Sequence, residues 1–172
     1  MGNSSKLDQA MTDLYSAFPN LRMSQFTRTS PADARYNCIA WASEDDKRFW
    51  WPIPPYYWPS EAPLEVTLAA FEAAYAVLGY TKCSDGALKR RFEKIAIYAD
   101  FHGTPTHAAR QLPNGRWTSK LGRDIDIEHT LEALEGDQYG SVARFMKRKR
   151  RIASGGRSLF ARLLLHARRE NS

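Results

Sequence analysis

The segment from Phe49 to Pro59 constrains the fold more than any other, because it brings four prolines and six aromatic residues together. Proline lacks a backbone N–H and is excluded from helix interiors and central strands, so the segment forms neither. Large aromatic side chains nevertheless need burial. We therefore predict an ordered loop packed on the body of the domain. Two interpretations stay open: Trp51, Tyr57 and Trp58 wall a substrate groove, or the loop covers the core.

A chain of 172 residues, 43% of them apolar and 26% charged, has the composition of one compact domain. It contains no run of about 20 apolar residues, so we expect no transmembrane segment. The start of the sequence lacks the apolar centre of a secretory signal. We expect a cytoplasmic protein, or an effector delivered by a route that needs no signal peptide.

Positive charge is concentrated at the end of the chain. Of a formal net charge of +6, residues 147–172 contribute nine basic side chains and one acidic one, which leaves the first 146 residues slightly acidic. We predict one domain over residues 1–150 and a basic helix or tail over residues 151–172. Three hypotheses for Lys147 to Arg169 stay open: a solvated helix, a docking helix for a partner, or weak contact with nucleic acid or another anionic surface.

Hydrophobic spacing predicts helices in the first half and strands in the second. The helices are Ser5–Phe18, Pro63–Gly79 and a short one that begins at Cys38. The strands are Lys94–Asp100, Thr106–Leu112, Arg116–Leu121 and Ser141–Lys147. We expect an α+β fold in which the N-terminal helices pack on an antiparallel sheet.

The sequence Pro113-Asn114-Gly115 predicts a hairpin between two of these strands. A two-residue turn would place Thr118 and Lys120 on the face of His107, whereas a three-residue loop would place Ser119 and Leu121 there. The hydroxyl of Ser119 is able to accept an imidazole N–H, and the ammonium of Lys120 is not. We therefore prefer Ser119 as the partner of His107.

Cys38 is the candidate nucleophile, because amide groups at a helix start stabilise a thiolate and lower the thiol pKa. His107, on a predicted strand, is the candidate base. The alternative is a small buried cysteine and a strand histidine with purely structural roles. Asn37, Trp41 and Gln111 are expected to bind substrate together with the aromatic loop.

The other cysteine and histidines are expected to be structural. Cys83 is expected to be an inert loop thiol, His102 a turn residue and His129 a helix-start or packing residue, and the nearby acids Asp124, Asp126 and Glu128 are placed in a loop or helix start. Two cysteines make neither a disulfide framework nor a zinc site, and the histidine spacing does not suit a metal. We expect no metal and no other cofactor.

Several short motifs together resemble an uncharacterised bacterial family of small domains over residues 10–150. They are NCIAWA at Asn37–Ala42, the aromatic loop, HAARQ at His107–Gln111, WTSKLG at Trp117–Gly122 and the segment His129–Gly140. That family looks like the papain-like cysteine hydrolases of the NlpC and CHAP type. The resemblance implies a papain-like layout and acyl transfer from an amide.

The sequence therefore predicts a cysteine-dependent amide hydrolase or deamidase that acts on a protein or peptide. In this hypothesis Cys38 attacks the carbonyl, His107 moves the proton and Ser119 orients His107. One alternative is a non-catalytic module that binds protein or nucleic acid through the aromatic loop and basic tail. Another is a bacterial toxin or effector with the same chemistry.

Overall fold

A computed structural model describes residues 2–150, with side chains from residue 9 onward. The helices are α1 (Gly2–Ala17), α2 (Cys38–Ala42) and α3 (Leu68–Ala76). The strands are β1 (Thr27–Arg28), β2 (Thr81–Cys83), β3 (Phe92–Ala99), β4 (Pro105–Gln111), β5 (Trp117–Lys120), β6 (Asp126–His129) and β7 (Ser141–Lys149). Short 3-10 turns lie at Pro19–Arg22 and Leu131–Leu134. The predicted basic tail over residues 151–172 lies outside the described residues.

The strands form one antiparallel sheet in the order β1-β6-β5-β4-β3-β7-β2. Strands β3 to β6 follow one another as a meander, and β7 returns to pair with the outer side of β3. The architecture is thus a seven-stranded sheet with three short helices. The predicted α+β, papain-like layout of helices packed on a sheet is wrong.

Two local features explain the error. The strands β1, β2 and β6 contain only two to four residues and include charged ones, so their sequences show no alternation. The helix predicted from Pro63 begins only at Leu68, after Thr67 caps it by accepting a hydrogen bond from the Ala70 N–H at 3.2 Å. The sequence therefore overstates the second long helix and does not reveal β6 or the two edge strands, β1 and β2.

The β4–β5 hairpin closes with a three-residue loop. Leu112 N–H donates to the Arg116 carbonyl at 2.8 Å, and Gly115 takes a positive φ of 87°, which a glycine adopts without strain. Arg110 consequently pairs with Thr118. This register places Ser119 rather than Lys120 on the face of His107.

Apolar side chains pack on both faces of the sheet. One cluster joins α2 and α3 to the face that carries Ile95, Ile97 and Ala108, and the other covers the face that carries Tyr98 and Ala109. Because side chains alternate along a strand, His107 shares the face of Ala109. A base for Cys38 would be expected on the face that the Cys38 helix covers, but the His107 ring lies on the opposite face.

Candidate functional site

Asn37 fixes the start of α2 and joins it to the aromatic loop. Its Oδ1 accepts hydrogen bonds from the N–H groups of Ala40 and Trp50, each at 3.2 Å, and its Nδ2 donates to the Trp50 carbonyl at 2.8 Å. Cys38 follows directly as the first helical residue. Since these three bonds tie its amide to the backbone, Asn37 positions Cys38.

The backbone N–H groups of Cys38, Ile39 and Ala108 lie close to the Cys38 sulfur and favour its thiolate form. Only 8% of the residue is exposed, and burial raises the pKa of the thiol to about 11. The expectation that the helix start lowers this pKa is wrong, because the cost of burying a thiolate outweighs the three donors.

The N–H of Ala108 faces the sulfur because the sheet opens beside it. N–H groups alternate in direction along a strand, and that of Leu112 points toward β5, so those of Arg110 and Ala108 do too. Strand β5 pairs with β4 only at Arg110 and Gln111. In the resulting β4–β5 gap, the Cys38 sulfur takes the place of a strand carbonyl.

His107, Ser119 and His129 form a buried relay on the other side of β4. The Ser119 Oγ lies 2.9 Å from His107 Nε2 and 2.8 Å from His129 Nε2, and His129 Nδ1 lies 2.6 Å from the Thr130 carbonyl. All three side chains are completely buried. Bulk water therefore does not reach these hydrogen bonds.

The hydrogen bonds assign the protons. A carbonyl only accepts, so His129 Nδ1 carries a proton and its Nε2 accepts the hydroxyl proton of Ser119. Ser119 must then accept a hydrogen bond from His107 Nε2–H. His107 Nδ1 therefore carries no proton. Among the described residues, Nδ1 has no hydrogen-bond partner, so it does not bond the Cys38 sulfur in this arrangement.

Burial keeps both histidines neutral. It holds the pKa of His107 well below its ordinary value, with a further contribution from nearby His129, and it lowers the pKa of His129 to about 4. Cys38 and His107 thus constitute a neutral thiol and a neutral imidazole, not a preformed ion pair.

Tyr139 connects the relay to the environment of Cys38. Its ring stacks on His107 with centroids 4.1 Å apart and planes 12° apart, and the same ring borders the cavity at Cys38. Its hydroxyl accepts a hydrogen bond from the Gly122 N–H, and its carbonyl accepts one from Thr106 Oγ1 at 2.5 Å. Both ends of Tyr139 are therefore fixed.

A cavity of about 360 Å³ opens over Cys38. It is lined by Asn37, Cys38, Phe49, Trp51, Tyr56, Thr106, Gly122 and Tyr139. We call this space the Cys38 cavity. Its walls come from the aromatic loop on one side and from the ends of β4 and β5 on the other.

Comparison with known families gives one match. Residues 27–147, well over half of the chain, match a family described as a domain of unknown function, DUF7689. The chain belongs to the DUF7689 family. It matches no curated protein and no solved structure. The predicted membership of an uncharacterised domain family is confirmed, and nothing links DUF7689 to the NlpC or CHAP hydrolases.

Of the six predicted substrate-binding residues, the DUF7689 structure brings Asn37 and Trp51 to the Cys38 cavity. Trp41 donates to Thr118 Oγ1 at 3.0 Å, and Trp58 donates to the Pro63 carbonyl at 3.0 Å. Tyr57 packs on Trp50 and Arg48, and Gln111 donates to the Gly86 carbonyl at 2.7 Å. These four do not line the cavity.

Two residues of the DUF7689 site escaped the sequence analysis. His129 belongs to β6, not to a helix start, and pairs with Trp117, which places it diagonal to Ser119 on the same face. Tyr139 precedes Gly140, whose positive φ of 73° forms a tight loop closed by two bonds with Gly136. The dipeptide Tyr139-Gly140 was the available signal for that loop.

The described part of this DUF7689 chain contains no cluster of metal-ligating side chains, and one arginine of the predicted basic segment is paired within the domain. Across residues 2–150 no cluster of three metal-ligating side chains occurs, and no helix there is long and apolar enough to cross a membrane. Arg148, part of the predicted basic segment, is bonded to Glu93 at 2.6 Å and to Glu44 at 2.7 Å. Its charge is therefore compensated within the domain.

Proposed function

We propose that this DUF7689 domain is a cysteine-dependent hydrolase of amide bonds in proteins or peptides, with Cys38 as nucleophile and His107 as general base. One observation carries the proposal: the buried Nδ1 of His107 has neither a proton nor a hydrogen-bond partner. His107 directly precedes Ala108, whose N–H lies close to the Cys38 sulfur. A buried polar atom without a partner calls for an explanation, and proton transfer supplies one. The proposal rests on this site and not on a papain-like layout.

The reaction begins when the sulfur attacks the substrate carbonyl carbon and Nδ1 accepts the thiol proton. The C–N bond then breaks as the imidazolium returns that proton to the leaving nitrogen. Water, deprotonated by the same Nδ1, hydrolyses the thioester and releases a carboxylic acid and the free thiol. A neutral pair suits this sequence, because attack and proton transfer occur together.

Ser119 and His129 support the charged intermediate. When His107 gains a proton at Nδ1, its Nε2–H donates to Ser119 as a cationic donor, and such bonds are stronger than neutral ones. Ser119 remains oriented because its own proton is held by His129. The two residues thus position His107 and stabilise the imidazolium without touching substrate.

Approach of the two reacting groups requires a rearrangement at the β4–β5 gap, because Cys38 and the His107 ring lie on opposite faces of β4. The sulfur and Nδ1 are not hydrogen bonded at rest, and catalytic hydrogen bonds are commonly long in unliganded enzymes. Tyr139 contacts both sides of the gap. It stacks on His107 and lines the Cys38 cavity, so the imidazole and the sulfur would approach each other beside its ring.

The experiment is a turnover assay of the full chain on two substrate pools: peptides with a fluorogenic C-terminal amide, and peptides rich in glutamine and asparagine. Amine release indicates amide hydrolysis, and ammonia release indicates deamidation. Cys38→Ala should abolish turnover, and the matched variant Cys83→Ala should retain it. Turnover that survives Cys38→Ala, or the absence of both turnover and any acyl adduct on Cys38 by mass spectrometry, contradicts the proposal.

A further inference from the structure

The walls of the Cys38 cavity are aromatic and held by the backbone of their own loop. Phe49 and Tyr56 pack with ring centroids 4.6 Å apart, and Trp51 packs edge-on against Phe71. Trp51 N–H donates to the Tyr57 carbonyl and Tyr57 N–H donates to the Phe49 carbonyl, both at 3.0 Å. The walls therefore keep their shape without a ligand.

Three polar side chains of the cavity are hydrogen bonded within the protein. The Asn37 amide bonds Ala40 and Trp50, the Thr106 hydroxyl donates to the Tyr139 carbonyl, and the Tyr139 hydroxyl accepts from the Gly122 N–H. No charged side chain is among the described residues that line it. A charged group that entered would lose hydration without gaining an oppositely charged partner among these residues.

From these two features we infer that the cavity selects amides that carry a bulky apolar or aromatic side chain on the acyl side of the bond attacked. This inference rests on the proposed function, since Cys38 marks the position of the reacting carbonyl. A volume of about 360 Å³ lies at the small end of ligand pockets and suits one large side chain with its amide. The glutamine and asparagine side chains of a deamidase substrate lack such a group.

Acylated amino-acid chloromethyl ketones test the selectivity without requiring turnover. The Cys38 sulfur attacks the chloromethyl carbon, a C–S bond forms, chloride leaves and the thiol proton passes to His107 and then to buffer. We would measure labelling of the Cys83→Ala protein by intact mass with phenylalanyl, leucyl, lysyl and aspartyl reagents. Each rate is divided by the rate with iodoacetamide, which carries no side chain.

The phenylalanyl and leucyl reagents should label Cys38 about tenfold faster than the lysyl and aspartyl ones, since apolar pockets discriminate by that order. Equal normalised rates, or faster labelling by a charged reagent, would overturn the inference while leaving the proposed function intact. Failure of the proposed function would show differently: iodoacetamide would label Cys38 at the same rate with and without His107→Ala.

Neighbouring tyrosines in the aromatic loop provide a matched pair of variants. Tyr56 and Tyr57 are similarly exposed, at 40% and 37%, but only Tyr56 lines the cavity. Tyr56→Ala should reduce the preference for the phenylalanyl reagent severalfold, and Tyr57→Ala should not. The same loss in both variants would mean that the loop acts as a whole, and it would overturn the assignment of the preference to the cavity wall.

Discussion

Ser119 donates its only proton to His129, across 2.8 Å, and this bond determines which nitrogen of His107 is bare. Because the hydroxyl proton is committed to His129, Ser119 accepts the Nε2–H of His107 at 2.9 Å. The lone pair of His107 is consequently at Nδ1, where no described residue uses it. The pair Ser119 and His129 thus sets the chemical state of the candidate base.

The relay predicts that Ser119→Ala slows turnover by about 100-fold, because general-base catalysis of this kind contributes about 10²–10⁴. The free energy of unfolding should fall by about 1–3 kcal/mol, since two buried ring nitrogens lose a partner. Steady-state kinetics and urea unfolding measure the two effects separately.

Thr118→Ala is the matched control for Ser119→Ala. Thr118 is the buried neighbour in β5, and its hydroxyl accepts from Trp41 on the opposite face. It should lower stability and leave the turnover of folded protein within about twofold, because it does not contact the relay. A similar kinetic loss in both variants would show that β5 matters only as a scaffold.

His129 should couple energetically to Ser119. If the two act as one relay, His129→Gln combined with Ser119→Ala should cost little more than the more damaging single variant, with an interaction energy of about 1 kcal/mol or more. A double-mutant cycle on turnover measures it. Additive losses would mean that His129 is only a packing residue.

Both buried histidines make stability depend on pH. Their pKa values are lowered in the folded state, to about 4 for His129, so at pH 4–6.5 the unfolded chain binds protons that the native protein does not. Stability should therefore fall as the pH drops through this window, by up to about 1.4 kcal/mol per pH unit for each histidine.

Urea unfolding at pH 7, 6 and 5 measures this dependence. His129→Gln should reduce the slope by about half, and His102→Gln, in an exposed turn, should leave it unchanged. Lys94 lowers the pKa of the Asp85 carboxyl to about 2. Asp85 therefore affects the pH dependence of stability only below its ordinary pKa of 3.8, outside the range of these measurements. An unchanged slope in His129→Gln would contradict the neutral buried state.

Gly140→Ala should destabilise the domain by about 4 kcal/mol. A Cβ there would lie 1.9 Å from the Ala99 carbonyl oxygen, and φ is positive at 73°. Gly103→Ala is the control, because φ is 81° but no atom lies within 4 Å, so only a conformational cost of about 1–2 kcal/mol applies. If urea unfolding gave equal losses of stability for the two variants, the loop that carries Tyr139 would be able to shift and accommodate the added Cβ.

The sequence predicted those elements whose apolar spacing fits only one type of secondary structure. The apolar spacing of α1, the short helix at Cys38 and the strands β3, β4, β5 and β7 were predicted within a few residues. The hairpin left two registers, and the choice of Ser119 over Lys120 rested on hydrogen-bond chemistry. The observed three-residue loop agrees with that choice of face.

Other features depended on tertiary context. The face of His107 relative to Cys38 could not follow from alternation alone, because it required knowing which face α2 covers. The pKa of Cys38 was predicted in the wrong direction, since burial is a property of the whole fold and outweighs a local helix start. His129 was missed because β6 is too short to show a strand pattern.

The central claim is that neutral His107 assists the neutral thiol of Cys38, and the pH dependence of Cys38 alkylation tests it most directly. Rates with iodoacetamide would be measured from pH 6 to 10 in a Cys83→Ala background, with and without His107→Ala. An assisted thiol should react at a nearly constant rate across this range, because the imidazole is neutral throughout. Without His107, the rate should be lower at pH 7 and should rise about tenfold per pH unit toward a thiol pKa of about 11. A tenfold rise per pH unit that is the same with and without His107 would contradict the account.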